Sequence, residues 1–90
     1  MKSVTIQVFG RVQGVGFRYL TKMVADKLGI KGTVANLNDG SVYIEAEGPE
    51  DQLNEFIHAV KMSPSPSGKV DRTVINEQPS QNFSGFRVTN

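Results

Sequence analysis

Residues 4–29, VTIQVFGRVQGVGFRYLTKMVADKLG, change their hydrophobic period once, and this change predicts a strand, a loop and a helix in succession. Up to about Phe9 apolar and polar residues alternate, which is the two-residue period of a half-buried strand. From Phe17 onward the apolar residues recur at helical spacing until Gly29, which stands where a C-terminal cap belongs. Between the two periods, the three glycines of residues 10–16 indicate a loop with unusual dihedral angles or a close backbone approach.

The remaining chain predicts one more helix and further strands. The predicted elements are strands at 30–37 and 41–47, a helix that begins within 48–51, a surface loop at 62–68, a strand at 70–77, a turn at 78–81 and a last strand at 83–88. Asn38-Asp39-Gly40 separates the first two of these strands, and Asp-Gly between strand-like runs is a strong hairpin signal because both residues tolerate positive φ. On the third strand, Tyr43, Glu45 and Glu47 are expected to form an exposed face.

The order β-α-β-β-α-β, with a central hairpin, predicts a ferredoxin-like α+β sandwich. Its sheet is mostly antiparallel, and both helices pack on one face. A chain of 90 residues is long enough for one core and too short for two, so we expect a single domain over residues 1–90. Such a fold hosts many unrelated activities, so the function has to be argued from a site.

The amino-acid composition of the chain limits the kinds of partner and the cellular location that can be expected. The chain has no cysteine, so hydrophobic packing must stabilise it without disulfides or thiolate zinc sites, and a reducing cytoplasm suits it. It contains neither a signal-peptide core nor a run of about 20 apolar residues, so no membrane association is expected. A formal net charge of +1, with scattered basic residues, predicts no nucleic-acid partner. Nothing in the predicted edge strands demands association, so we expect a monomer.

The glycine-rich segment, residues 9–18, is the candidate site. A loop that leads from a strand into a helix presents unpaired backbone N–H groups and the positive end of the helix dipole to one point, which suits an anion. Arg18, in the first helical turn, can add bidentate hydrogen bonds to phosphate or carboxylate oxygens. The residues alone leave two interpretations open: a phosphate-binding loop with its arginine, or a tight turn followed by a solvated arginine. A dinucleotide fingerprint is absent because Tyr19 replaces its last glycine, and no Gly-Lys-Ser or Gly-Lys-Thr of a nucleotide P-loop occurs.

Two segments resemble the signatures of the acylphosphatases, small hydrolases of the carboxyl-phosphate anhydride. The first signature, Gly-x-Val-Gln-Gly-Val-x-Phe-Arg, is matched without exception by residues 10–18. The second is matched at Gly32, Val34, Asn36, Gly40, Val42 and Gly48, whereas Thr33 stands where the family usually has an aromatic residue. That departure is expected to affect packing beside the site more than chemistry. The resemblance extends to the Ser-Pro-Ser loop and the closing Phe83–Phe86 run, and the family's fold is the one predicted above.

The resemblance implies a metal-free, cofactor-free hydrolysis of small-molecule acyl phosphates. It assigns Arg18 and Asn36 as catalytic residues, with Arg18 binding the phosphate and Asn36 positioning the attacking water. The implied phosphate-binding residues are Val12, Gln13, Gly14, Val15, Gly16, Phe17 and Arg18, which act through their backbone N–H groups and the Arg18 side chain. Without the resemblance, Asn36 has a second interpretation as a turn residue, although its place inside the predicted strand argues against that.

Other functions remain open at this stage. A non-enzymatic phosphate-sensing module would use the same loop without turnover. A protein- or RNA-binding domain would use the open sheet face, but Tyr43 lacks the clustered aromatic and basic neighbours of RNA readers. His58, the single histidine, is expected on the surface of the second helix, with no partner for a metal site or a serine nucleophile. Arg11 is expected to be an exposed loop residue.

Overall fold

A computed structural model describes all residues from 1 to 90. Its elements, in chain order, are β1 (Lys2–Arg11), α1 (Phe17–Leu28), β2 (Lys31–Asn36), β3 (Val42–Gly48), α2 (Glu50–Lys61), β4 (Lys69–Gln78) and β5 (Phe86–Thr89). The strand-to-helix transition predicted across residues 4–29 is confirmed. Gly29 caps α1 in the left-handed conformation at φ 72°, a conformation that glycine adopts without a Cβ penalty.

The five strands form one sheet in the order β4-β1-β3-β2-β5. All neighbours are antiparallel except β2 and β5, which run parallel. The predicted central hairpin is present, because Asn36 pairs with Val42 at the ends of β2 and β3. In the turn, the Leu37 amide donates to the Ser41 carbonyl over 2.9 Å. This topology places β1 and β3 at the centre of the sheet and leaves β4 and β5 at its edges.

The hydrophobic core lies between one face of the sheet and both helices. Strand alternation directs Ile6, Val8 and Ile44 to this face, where each is fully buried. From the helices, Phe17 and Phe56 enter the same cluster of 15 buried residues. The predicted ferredoxin-like α+β sandwich is therefore confirmed. Neither helix combines the length and the apolar content that crossing a membrane requires.

The structure corrects two expectations for the second half of the chain. The last strand begins at Phe86, not at residue 83, because residues 79–85 form an irregular connection from β4 to the opposite edge of the sheet. Tyr43, Glu45 and Glu47 do not form an exposed face: Tyr43 and Glu45 are half-buried, and Glu47 is 4% exposed, with its carboxylate accepting a hydrogen bond of 2.7 Å from the Gln81 amide. The long connection covers that end of the sheet, which alternation within β3 could not indicate.

Candidate active site

The glycine-rich loop joins β1 to α1 in a backbone conformation that favours glycine. Gly14 and Gly16 both have φ of 77°, in the left-handed region that other residues rarely adopt. Gly16 is the N-cap of α1, and its carbonyl accepts the first helical hydrogen bond, from the Leu20 amide over 3.1 Å. The amides of residues 13–16 donate no hydrogen bond within the protein. These N–H groups are therefore free to donate to an anion at the positive end of the helix dipole.

Two side chains connect this loop to other parts of the structure. The Gln13 amide nitrogen donates to the carbonyl oxygens of Leu37 (2.8 Å) and Ser41 (2.9 Å), which ties the loop to the β2–β3 hairpin. Ser65, from the loop after α2, is 1% exposed, and its hydroxyl donates to the Val15 carbonyl over 2.6 Å. The loop is thus built into the structure by contacts with two other loops. Such contacts preorganise a binding loop and reduce the entropy lost on binding.

The Arg18 side chain is held by the end of the last strand. Its Nη1 donates to the backbone carbonyl of Thr89 over 3.0 Å and also to the carbonyl oxygen of Asn90. The Thr89 hydroxyl donates in turn to the Val34 carbonyl of β2 over 3.3 Å. Because a guanidinium carries five N–H donors, Nη2 and Nε remain available after these contacts. Arg18 can therefore be oriented by β5 and still bind an anion.

Asn36 lies at the last position of β2, two residues beyond Val34 and on the same, helix-facing side of the sheet. Its side-chain oxygen is buried and has no hydrogen-bond partner within the protein. A buried polar atom without a partner is costly and calls for an explanation such as a functional role; the Thr21 hydroxyl of α1 is a second such atom. The prediction that Asn36 belongs to the strand and not to the turn is confirmed by these bounds.

The turn that follows Asn36 is stabilised by hydrogen bonds between its own residues. The Asp39 carboxylate accepts hydrogen bonds from the Ser41 hydroxyl (2.5 Å) and the Ser41 amide (2.9 Å). These two bonds lower the pKa of Asp39, the hydroxyl contributing most. The hairpin that receives Gln13 is therefore ordered locally, so that the loop and the end of β2 are fixed relative to each other.

Loop, helix and strands enclose a cleft with a volume of about 180 Å³. It is lined by Val12, Gly14, Gly16, Phe17, Arg18, Tyr19, Asn36 and Val88. Arg18 is the only charged side chain among these residues, so the cleft carries a local positive charge although the chain is nearly neutral. Six of the eight predicted site residues line it. Gln13 and Val15 do not, because the Gln13 side chain turns to the hairpin and the Val15 carbonyl accepts from Ser65.

Similarity to known proteins identifies the family of the chain. The family model named Acylphosphatase matches residues 4–88. The chain belongs to the acylphosphatase family. An acylphosphatase of Lactiplantibacillus plantarum is 51% identical over 90 residues, with all of both chains covered. One from Latilactobacillus sakei subsp. sakei is 61% identical over 83 residues, covering 92% of this chain and 88% of that one. The crystal structure of acylphosphatase from Bacillus subtilis superimposes with a TM-score of 0.95 at 45% identity, covering 100% of each chain.

The departure from the acylphosphatase signature at Thr33 lies away from the cleft. Thr33 alternates with Val34 and Asn36 along β2, so its side chain is on the sheet face opposite the helices, half-buried beside Glu45 of β3. Contrary to expectation, Thr33 is therefore not beside the cleft, and an effect of this residue on packing stays a prediction.

Sequence reasoning did not identify Gln13, Ser65 and Thr89 as residues that position this acylphosphatase site. Gln13 was expected to contribute its amide, and the role of its side chain depends on a hairpin far along the chain. The Ser-Pro-Ser loop was noted as part of the family resemblance, but nothing in the sequence indicates that the Ser65 hydroxyl reaches Val15 or that the Thr89 carbonyl reaches Arg18. His58 is exposed and lies outside the cleft, as expected. Arg11 is also exposed and outside the cleft, but it is the last residue of β1, paired with Lys69 of β4, and not the loop residue that was expected.

Proposed function

We propose that this chain, as a single domain, hydrolyses the carboxyl-phosphate anhydride of small acyl phosphates to a carboxylate and inorganic phosphate, without a metal or a cofactor. The observation that carries the proposal is one cleft in which free loop amides, the Arg18 guanidinium and the Asn36 side chain meet. Membership of the acylphosphatase family supports the reaction class.

The phosphate is bound by the loop and Arg18. Donors at the start of α1 favour an anion through their N–H groups and through the helix dipole. The two Arg18 nitrogens that Thr89 and Asn90 do not occupy add charge-assisted hydrogen bonds. Because the loop is already held by Gln13 and Ser65, these donors are in place before charge develops on the transferring group.

Asn36 positions the attacking water. Its side-chain amide, in the wall of the cleft, can hydrogen-bond that water, whose oxygen attacks phosphorus in line with the bond to the acyl oxygen. The phosphorus–oxygen bond breaks with its electron pair on the carboxylate, and one water proton passes to a phosphate oxygen. An amide cannot act as a base at neutral pH, so Asn36 contributes orientation alone.

The leaving group explains why so few residues suffice. A carboxylate is stable once released, so the protein needs no strong general acid, and positioning with charge stabilisation can carry the reaction. The cleft accordingly contains neither a carboxylic acid nor a histidine.

The deciding experiment measures hydrolysis of benzoyl phosphate by the purified protein, with inorganic phosphate as inhibitor and a chelator in parallel samples. We expect turnover above the spontaneous rate, competitive inhibition by phosphate and no effect of the chelator. An Arg18→Gln preparation made identically controls for contaminating phosphatases. Phosphate binding without turnover would instead identify a sensing module, and loss of activity with the chelator would contradict a metal-independent site.

A further inference from the structure

We infer that Tyr19 and Val88 form the contact surface for the acyl group, so that the protein selects acyl phosphates with aromatic or bulky apolar acyl groups over acetyl phosphate. This inference rests on the proposed function and adds a substrate class to it. It depends on the distribution of apolar surface within the cleft.

The apolar residues of the cleft fall into two groups by exposure. Val12 and Phe17 are each 1% exposed and belong to the core, so they form the floor. Tyr19 is 65% exposed and Val88 is 39% exposed, although both line the same cleft. The rim of the cleft is therefore apolar and accessible, whereas the donors for phosphate lie on the loop and at the start of the helix.

The fold brings these two side chains to the cleft from two different elements. Val88 follows the alternation of β5 from the buried Phe86, so it faces the helices, next to Val34 in the parallel pairing with β2. Tyr19 comes from the first turn of α1, directly after Arg18, and α1 packs against both β2 and β5. A group attached to a phosphate bound at Arg18 thus lies near both the helix and the last strand.

The structure of an acyl phosphate places its acyl group next to the rim of the cleft. In an acyl phosphate, a single bridging oxygen separates phosphorus from the acyl carbon, so the acyl group stays within reach of the cleft when the phosphate is bound. A methyl group covers little of the rim, while a phenyl ring covers more of the exposed Tyr19 ring and the Val88 methyl groups. Removal of that additional apolar surface from water favours the larger acyl group by about five- to tenfold in kcat/KM.

The test compares benzoyl phosphate with acetyl phosphate in the wild type, Tyr19→Ala, Val88→Thr and Tyr19→Phe. The readout is the ratio of the two kcat/KM values, normalised to the wild type, which removes the difference in intrinsic reactivity. We expect the ratio to fall by about five- to tenfold in Tyr19→Ala and by about two- to threefold in Val88→Thr. Tyr19→Phe should retain it, because the ring remains. Met23→Ala is the matched control, since Met23 is an exposed apolar residue of α1 (53%) that lines a different depression.

Three other results are informative. An unchanged ratio in both Tyr19→Ala and Val88→Thr would overturn the inference while the hydrolytic function stands. A fall in the ratio that is accompanied by an equal loss of inhibition by inorganic phosphate would also overturn the inference. The two residues would then act on the phosphate site and not on the acyl group. Failure of the wild type to hydrolyse either substrate would reject the proposed function itself, and the acyl preference with it.

Discussion

The guanidinium of Arg18 is joined to the backbone of Thr89, with 3.0 Å between Nη1 and the carbonyl oxygen. The two residues are 71 positions apart, and the contact connects the first turn of α1 to an edge strand of the sheet. β5 is itself fixed by its parallel pairing with β2, the strand that ends at Asn36. The proposed phosphate anchor and the proposed water-positioning residue are therefore held by two neighbouring strands.

Replacement of Arg18 by lysine is expected to lower kcat/KM for benzoyl phosphate by about 100-fold or more. Lysine keeps the charge, but its single ammonium group cannot donate to the Thr89 carbonyl and grip phosphate oxygens with a planar fork. The inhibition constant for inorganic phosphate should rise in parallel. Arg11→Lys, an exposed arginine outside the cleft, is the control and should change neither quantity. Near wild-type kinetics of Arg18→Lys would show that the fork geometry is unimportant.

Replacement of Asn36 by alanine is expected to lower kcat by about 100-fold while inhibition by inorganic phosphate stays within about twofold of the wild type. The reason is that, in the proposed mechanism, the side chain orients water and does not hold the phosphate. Asn38→Ala, in the exposed turn two residues later, serves as the matched control. If phosphate inhibition weakens as much as kcat, Asn36 belongs to the phosphate-binding shell.

Replacement of Gln13 by alanine is expected to destabilise the protein by about 1–3 kcal/mol, because its two hydrogen bonds to the carbonyls of Leu37 and Ser41 are lost and each carbonyl keeps only its backbone donor. The loop then becomes less ordered, so KM and the phosphate inhibition constant should rise more than kcat falls. Urea unfolding and steady-state kinetics measure the two effects. Gln52→Ala, on the exposed side of α2, should alter neither. If the protein loses stability while its phosphate affinity is unchanged, the Gln13 side chain stabilises the fold but does not order the phosphate-binding loop.

Acid is expected to destabilise the protein through Glu47. The Gln81 amide donates to its carboxylate and lowers the pKa of Glu47 in the folded state, against the opposing effect of burial. A lowered folded pKa means that this stabilisation is complete above the unfolded value, about 4.3, and is lost as the pH falls through the folded value. The urea midpoint of the wild type should exceed that of Glu47→Gln at pH 6, and the difference should shrink below about pH 4. If the difference between the two urea midpoints grows as the pH falls, the pKa of Glu47 is not lowered by folding and the prediction is wrong.

Much of the fold could be predicted because its signals are local. The change from strand period to helix period around Gly10–Gly16 and the Asp39-Gly40 turn each depend on a few neighbouring residues, and the structure places the elements close to the predicted bounds. The last strand and the exposure of Glu47 were predicted wrongly, because the segment between β4 and β5 is irregular and covers β3 from a distance.

By itself, the sequence determined the order of elements, the core-facing residues, the glycine-rich loop with Arg18, and the family to which these belong. Only the tertiary structure decided what surrounds the loop. Gln13 with Leu37, Val15 with Ser65 and Arg18 with Thr89 are separated by 24, 50 and 71 residues along the chain. Pairings between residues so far apart in the chain depend on how the helices and loops pack on the sheet. The local sequence does not indicate them, because the acceptor in each pair is a backbone carbonyl, which every residue has.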